Sequence, residues 1–237
     1  MNQPNDAAAT AVEDELCAVY GFYVALARGM DSETGLGGTL LYAGEPDEAG
    51  CRLLRAASIA GADSLTASAD SATLRQAMRA GAIDFVVSTL DEGLRILKNE
   101  IRKRQPAAVG VVAASDAVVR AMVERGVQPD LLRVQPAHDS GRAAEFAELE
   151  ARGARRVESA PARPDTDFQV IPIPAAWARR TAAFDALLVE SAPADDHFTR
   201  RWLRFAPRYL DARARGVRGL PRPAWGALRS IAGPGAT

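Results

Sequence analysis

An α/β fold built on a doubly wound, mostly parallel sheet is predicted by three observations. Between residues 39 and 152, short apolar runs alternate with helical patterns of about ten residues. Glycine stands where several of those helical patterns stop, at Gly61, Gly81 and Gly126. The run Ala107-Ala108-Val109-Gly110-Val111-Val112-Ala113 is apolar almost throughout, as a strand covered by helices on both faces requires.

The elements follow in order. Leu16, Val19, Tyr20, Tyr23, Leu26 and Ala27 recur at three- and four-residue spacing and predict a helix over residues 7–30. Asp31–Gly38 reads as a loop, and Thr39–Ala43 as the first strand. A helix through Ala60 follows, with Gly61 as its C-cap. Asp63–Ala67 is a strand, Asp70–Ala80 a helix, and Ile83–Val87 a strand. Thr89 or Asp91 caps a helix over Glu92–Lys103, and Ser115 or Asp116 caps another after the strand Ala107–Ala113. Pro129–Val134 and Arg142–Arg152 complete the regular alternation as strand and helix. Beyond Gly153, Arg156–Ser159 and Phe168–Ile173 read as strands around the loop Ala160–Thr166, and helices are expected over Ala175–Val189 and Asp195–Ala214. Gly216–Thr237, rich in Gly, Pro and Arg, is expected to be partly loose. The organisation is then an N-terminal helix and connector (1–34), an α/β domain (35–174) and a helical, Arg-rich C-terminal extension (175–237).

Composition excludes several classes. Hydrophobic residues make up 48% and charged residues 25% of the 237, as in ordinary globular proteins. The net charge of −1 hides an asymmetry, because residues 1–100 carry 15 acidic and 7 basic side chains. Cys17 and Cys51 are too few for a disulfide framework. The start lacks a signal-peptide pattern, and no apolar run reaches the roughly 20 residues a membrane span needs. A cytoplasmic protein with no membrane association is expected.

With the strands placed, a resemblance emerges. The run Ala56-Ala57-Ser58-Ile59-Ala60-Gly61-Ala62, then Asp70, Leu74, Gly81 and Asp91-Glu92-Gly93-Leu94, resembles the central domain of urocanases. Val123-Glu124-Arg125-Gly126-Val127-Gln128-Pro129-Asp130-Leu131-Leu132 and Gln135-Pro136-Ala137-His138-Asp139 are similar to the same domain, so that roughly residues 35–140 are covered. The resemblance implies a Rossmann-like NAD-binding domain from enzymes that hydrate urocanate in histidine degradation, using NAD as an electrophile.

The departures fall on cofactor-facing positions. A Gly-Leu-Gly-Gly-Met-Gly-Gly-type loop follows the first strand in that family, whereas this chain has Gly44-Glu45-Pro46-Asp47-Glu48-Ala49-Gly50. Glycine permits positive φ and close backbone approach to a pyrophosphate, proline removes an N–H donor, and carboxylates repel phosphate. Ser68 stands where the family pattern places a glutamate, two residues before Asp70, and Asp70 reads either as a ribose ligand or as a helix N-cap. The family's Gly-Asn-Ala turn falls on Ala113-Ala114-Ser115, so its amide is missing. Candidate cofactor contacts are Gly44, Gly50, Ser68, Asp70, Ser115 and Gln135, and candidate catalytic residues are His138 and Asp139. A turn set by Pro136 and capped by Asp139 is the structural alternative for that corner. Tight NAD binding is expected to be absent, and nothing corresponds to the separate urocanase core that supplies a catalytic cysteine.

Other patterns carry less. Gly35-Leu36-Gly37-Gly38 precedes its strand, whereas a dinucleotide fingerprint follows one. Two histidines, His138 and His197, and no closely spaced cysteine pair give no zinc site. Cys51 reads as a packed thiol rather than an activated one. In the last helix Phe198, Trp202, Phe205, Tyr209 and Leu210 form an apolar stripe, with Arg200, Arg201, Arg204, Arg208, Arg213 and Arg215 elsewhere. The stripe is expected to pack on the domain, and the helix to be a route to a homo-oligomer or a protein partner. A non-catalytic binding or interaction protein is therefore expected, with a hydratase-related enzyme component as the alternative. Nucleic-acid or acidic-partner binding through the Arg-rich end is the second alternative.

Overall fold

In the computed structural model, residues 3–27, 34–103, 105–133, 143–157, 167–210, 214 and 216–226 are described, with side chains from residue 9 onward and excluding that of residue 143. The helices are α1 (Gln3–Ala27), α2 (Glu48–Ala60), α3 (Ser71–Arg79), α4 (Leu90–Arg102), α5 (Ser115–Arg125), α6 (Ala143–Ala151), α7 (Thr181–Ser191) and α8 (His197–Leu210). The strands are β1 (Leu40–Tyr42), β2 (Asp63–Ser68), β3 (Phe85–Val87), β4 (Ala108–Val112), β5 (Leu131–Arg133), β6 (Arg155–Val157), β7 (Phe168–Pro172) and β8 (Val217–Pro221).

Six strands form one parallel sheet in the order β3-β4-β2-β1-β5-β6. Parallel neighbours need crossover helices, which cover both faces of the sheet; β1 and β4 are accordingly apolar, whereas the central β2 buries Asp63, Ser64, Thr66 and Ser68. One apolar cluster joins α1, α2 and α3 to α7 and α8, and the other joins α4, α5 and α6 to the opposite face. Gly110 in β4 faces α3 so closely that an added Cβ would stand 2.8 Å from the Leu74 side chain.

The helix boundaries obey local chemistry. Gly61 ends α2 at φ 94°, in the left-handed region. Of the two candidate caps before α4, Thr89 makes the bond, its hydroxyl accepting from the Glu92 amide. Ahead of α5, however, neither expected residue caps. Ala114 holds that position, and Ser115 is the first helical residue, its hydroxyl 2.7 Å from the Tyr42 hydroxyl.

The C-terminal segment differs from its sequence pattern in two places. The helix expected over Ala175–Val189 begins only at Thr181, after a short 3₁₀ turn over Ala175–Trp177. Part of the stretch expected to be loose is instead strand β8, antiparallel to β7, in a second, two-stranded sheet. Trp202 of α8 is fully buried and donates its indole N–H to the Gly219 carbonyl at 2.8 Å. Its ring meets Tyr20 of α1 edge-on at 4.9 Å, and Tyr20 in turn stacks on Phe168 of β7 at 4.2 Å. The apolar stripe of α8 thus packs inward, and burial pushes the Tyr20 and Tyr23 phenols well up from their ordinary range.

Candidate functional site

The direction of winding reverses between β1 and β5. Helix α2 leads from β1 to β2 on one side, and α5 leads from β4 across the sheet to β5 on the other. Ligand crevices of open α/β sheets lie at such a point, outside the C-terminal strand ends. Here that place belongs to the turn 44–50.

Gly44 opens the turn at φ 69°, a conformation costly for any residue with a Cβ. Its carbonyl accepts from the Thr66 hydroxyl at 2.6 Å and the Ala67 amide at 3.0 Å, which fastens the turn to β2. Asp47 then caps α2, its Oδ1 accepting from the Gly50 amide at 2.6 Å. At Gly50 an added Cβ would meet the Glu45 carbonyl oxygen at 2.4 Å and Arg133 Nη1 at 2.8 Å. Glycine is required there by the turn's own backbone.

Arg133, at the end of β5, closes the arrangement, with its side chain only 3% exposed. Nη1 lies 2.9 Å from Asp47 Oδ1 and donates to the Glu45 carbonyl at 3.2 Å, and Nη2 donates to Asp47 Oδ2 at 3.1 Å. The Ala43 carbonyl accepts from Nη1 at 3.4 Å. Against the first turn of α2, where the helix dipole and bare amides favour an anion, the anion present is therefore Asp47 itself. The acids of the turn meet different arginines: Asp47 faces Arg133, exposed Glu48 pairs with Arg52 at 2.7 Å, and the Glu45 backbone carbonyl accepts from Arg133. The Asp47 carboxylate thus stands between the Gly50 amide of α2 and the Arg133 guanidinium.

The other expected contacts are placed as follows. Ser68, nearly buried at the end of β2, accepts from the Asp70 amide at 3.3 Å. Asp70 caps α3; its oxygens accept from the Ala72 amide at 2.8 Å and from the Thr73 hydroxyl at 2.8 Å. Those bonds, the Ala72 amide first, hold its carboxyl below the usual carboxylate range. Ser115 turns inward to Tyr42. Gln135, His138 and Asp139 lie outside the described residues. Cys51 is half-buried, and its thiol donates to the Pro46 carbonyl at 3.3 Å.

Beside the turn a polar cleft of about 360 Å³ opens between α1, α2 and α3, lined among others by Glu15, Glu48, Cys51, Arg55, Thr73 and Gln76. Glu15 bridges Arg52 at 2.7 Å and Arg55 at 3.1 Å, and Arg55 also donates to the Ala80 carbonyl at 2.8 Å. Arg133 was not among the residues singled out from sequence. Its signal was present all the same: an arginine directly after Leu131-Leu132, in an apolar strand, is rarely buried without a partner. Among the described residues, no group of three or more His, Cys, Asp or Glu is placed to hold a metal ion, and no helix is long and apolar enough to cross a membrane.

Parallel sheet, helices on both faces and a switch point at the β1–α2 turn define a Rossmann-like domain. Residues 20–147 match the family model described as the urocanase Rossmann-like domain, which is more than half of the 237 residues. The chain belongs to the urocanase family. The match begins inside α1 and ends inside α6, so β6, β7, α7, α8 and β8 lie beyond it.

Proposed function

We propose that this urocanase-family chain is a cytoplasmic, non-catalytic binding or interaction protein that keeps the Rossmann-like fold without tight NAD binding. One observation carries the reading: the Asp47 carboxylate, clamped by buried Arg133, takes the Gly50 amide in the first turn of α2 at the switch point. A dinucleotide would have to displace that carboxylate and face Glu45 and Glu48 beside it, at a cost in like-charge repulsion. Ser68 and Asp70 support the same view, because their polar atoms are engaged with the start of α3. The polar cleft between α1, α2 and α3 is the natural place for a small ligand or a partner's side chain in such a protein.

Isothermal titration of the full chain with NAD tests the reading. The expected result is no saturable binding at micromolar ligand, and micromolar or tighter binding overturns it. The absorbance of urocanate is likewise expected to stay constant in the presence of chain and NAD. Turnover that disappears in His138→Ala at unchanged thermal stability would favour the hydratase-related alternative instead.

A further inference from the structure

We propose that the β1–α2 turn is an oxyanion site occupied from within, its own Asp47 carboxylate holding the position that an inorganic phosphate or pyrophosphate would take. This deepens the reading above and rests on the same turn. Two independent features build the site. One is the N-terminus of the 13-residue α2, whose Gly50 amide points at the carboxylate from 2.6 Å. The other is Arg133, buried at the end of a different strand, whose two terminal nitrogens grip both carboxylate oxygens. The Nε of the same guanidinium is buried and has no hydrogen-bond partner. A cation so placed beside the positive end of a helix is unfavourable unless an anion stands between them.

The two partners differ in freedom. Arg133 is 3% exposed, whereas the Asp47 side chain is 45% exposed and sits at the mouth of the turn. The carboxylate is therefore the member that can leave, and the guanidinium and amide are the fixed cradle. Other charged groups at the turn are Glu45, whose carbonyl also binds Arg133, and Glu48, turned outward to Arg52. They lower the affinity for an incoming anion without filling the cradle. Among the described residues, one side chain thus closes the cradle to phosphates.

The test is Asp47→Ser in the full chain, because serine keeps the N-cap bond while removing the charge. Pyrophosphate is titrated at low ionic strength, with binding read by calorimetry and by the rise in Tm that a ligand of the folded state produces. Asp47→Ser is expected to bind at least about 10-fold more tightly than wild type, a difference of about 1.4 kcal/mol. The double variant Asp47→Ser/Arg133→Gln is expected to lose that gain. Should the double variant not fold, Asp47→Ser/Arg133→Lys replaces it; it keeps the charge without the two-pronged grip, and weaker binding than in Asp47→Ser is expected. Should Asp47→Ser itself not fold, Asp47→Asn serves in its place. A folded Asp47→Ser (or Asn) chain with no gain over wild type overturns the proposal, as does binding that survives the change at Arg133 undiminished. Wild-type binding of NAD would instead overturn the functional reading of the preceding section, so the two failures are distinguishable.

Discussion

Helix α2 is closed at both ends by an arginine from a distant part of the chain, and the two closures obey opposite electrostatics. At its C-terminus Arg201 of α8 donates to the Ile59 carbonyl at 2.9 Å and lies over the Phe205 ring at 4.7 Å. A cation there complements the negative end of the helix dipole. At the N-terminus Arg133 stands at the positive end, where a cation is tolerated only through Asp47 and the carbonyls of Ala43 and Glu45. One end is an ordinary cap, and the other is a cation and an anion built around each other.

The comparison can be broken first at Arg133. Arg133→Ala is expected to destabilise the fold by about 2–3 kcal/mol, since it leaves the carbonyls of Ala43 and Glu45 without their buried donor. Denaturant unfolding of the two variants side by side checks this, and Arg201→Met is expected to lose only about 1–2 kcal/mol. An equal loss at both ends would show that the bonds of Arg133 to the turn add nothing beyond what Arg201 supplies.

Gly61 sharpens the C-terminal half. Its φ of 94° alone makes Gly61→Ala cost about 1–2 kcal/mol. The added Cβ would also fall 2.2 Å from Arg201 Nη2, so the guanidinium must move. Gly61→Ala combined with Arg201→Met is therefore expected to cost less than the two single changes added, measured as a double-mutant cycle.

The smallest effect lies two residues further on. Asp63, at the start of β2, has its carboxyl pushed up to about 6 by burial, with Glu100 adding to the shift and the Ala107 amide opposing it. The folded state thus holds this proton more tightly than the unfolded chain does. Stability falls as pH rises through the window from 3.8 to about 6, and the penalty is full above it and absent below. Asp63→Asn, which keeps an oxygen for the Ala107 amide, is expected to remove this slope. At neutral pH it should gain about 1–2 kcal/mol after allowance for solvent screening.

Local chemistry was the legible part of this molecule. The apolar run through Val109 and Val111 announced a doubly covered strand, and Gly61 announced the end of α2, because each signal resides in adjacent residues. The acids after β1 were equally plain in the sequence. The partner of Asp47 was not: Arg133 is 86 positions from it, and only the β1–β5 pairing brings them together. Ser115 misled for a related reason, since its preference for an N-cap yielded to a hydroxyl contact with Tyr42 across the core. The β7–β8 pairing was hidden because its strands are separated by two helices and carry prolines, Pro172 and Pro221, that weaken a strand pattern.

The cluster of Tyr20, Phe168 and Trp202 has a consequence for how the protein is made. Helix α1 is synthesised well before the residues that complete its aromatic face, as with Tyr23, which donates to the Phe198 carbonyl 175 positions away. At roughly 5–20 residues per second, α1 waits on the order of ten seconds for its cover. During that interval the nascent chain shows a greasy, tyrosine-bearing surface to whatever chaperone is near.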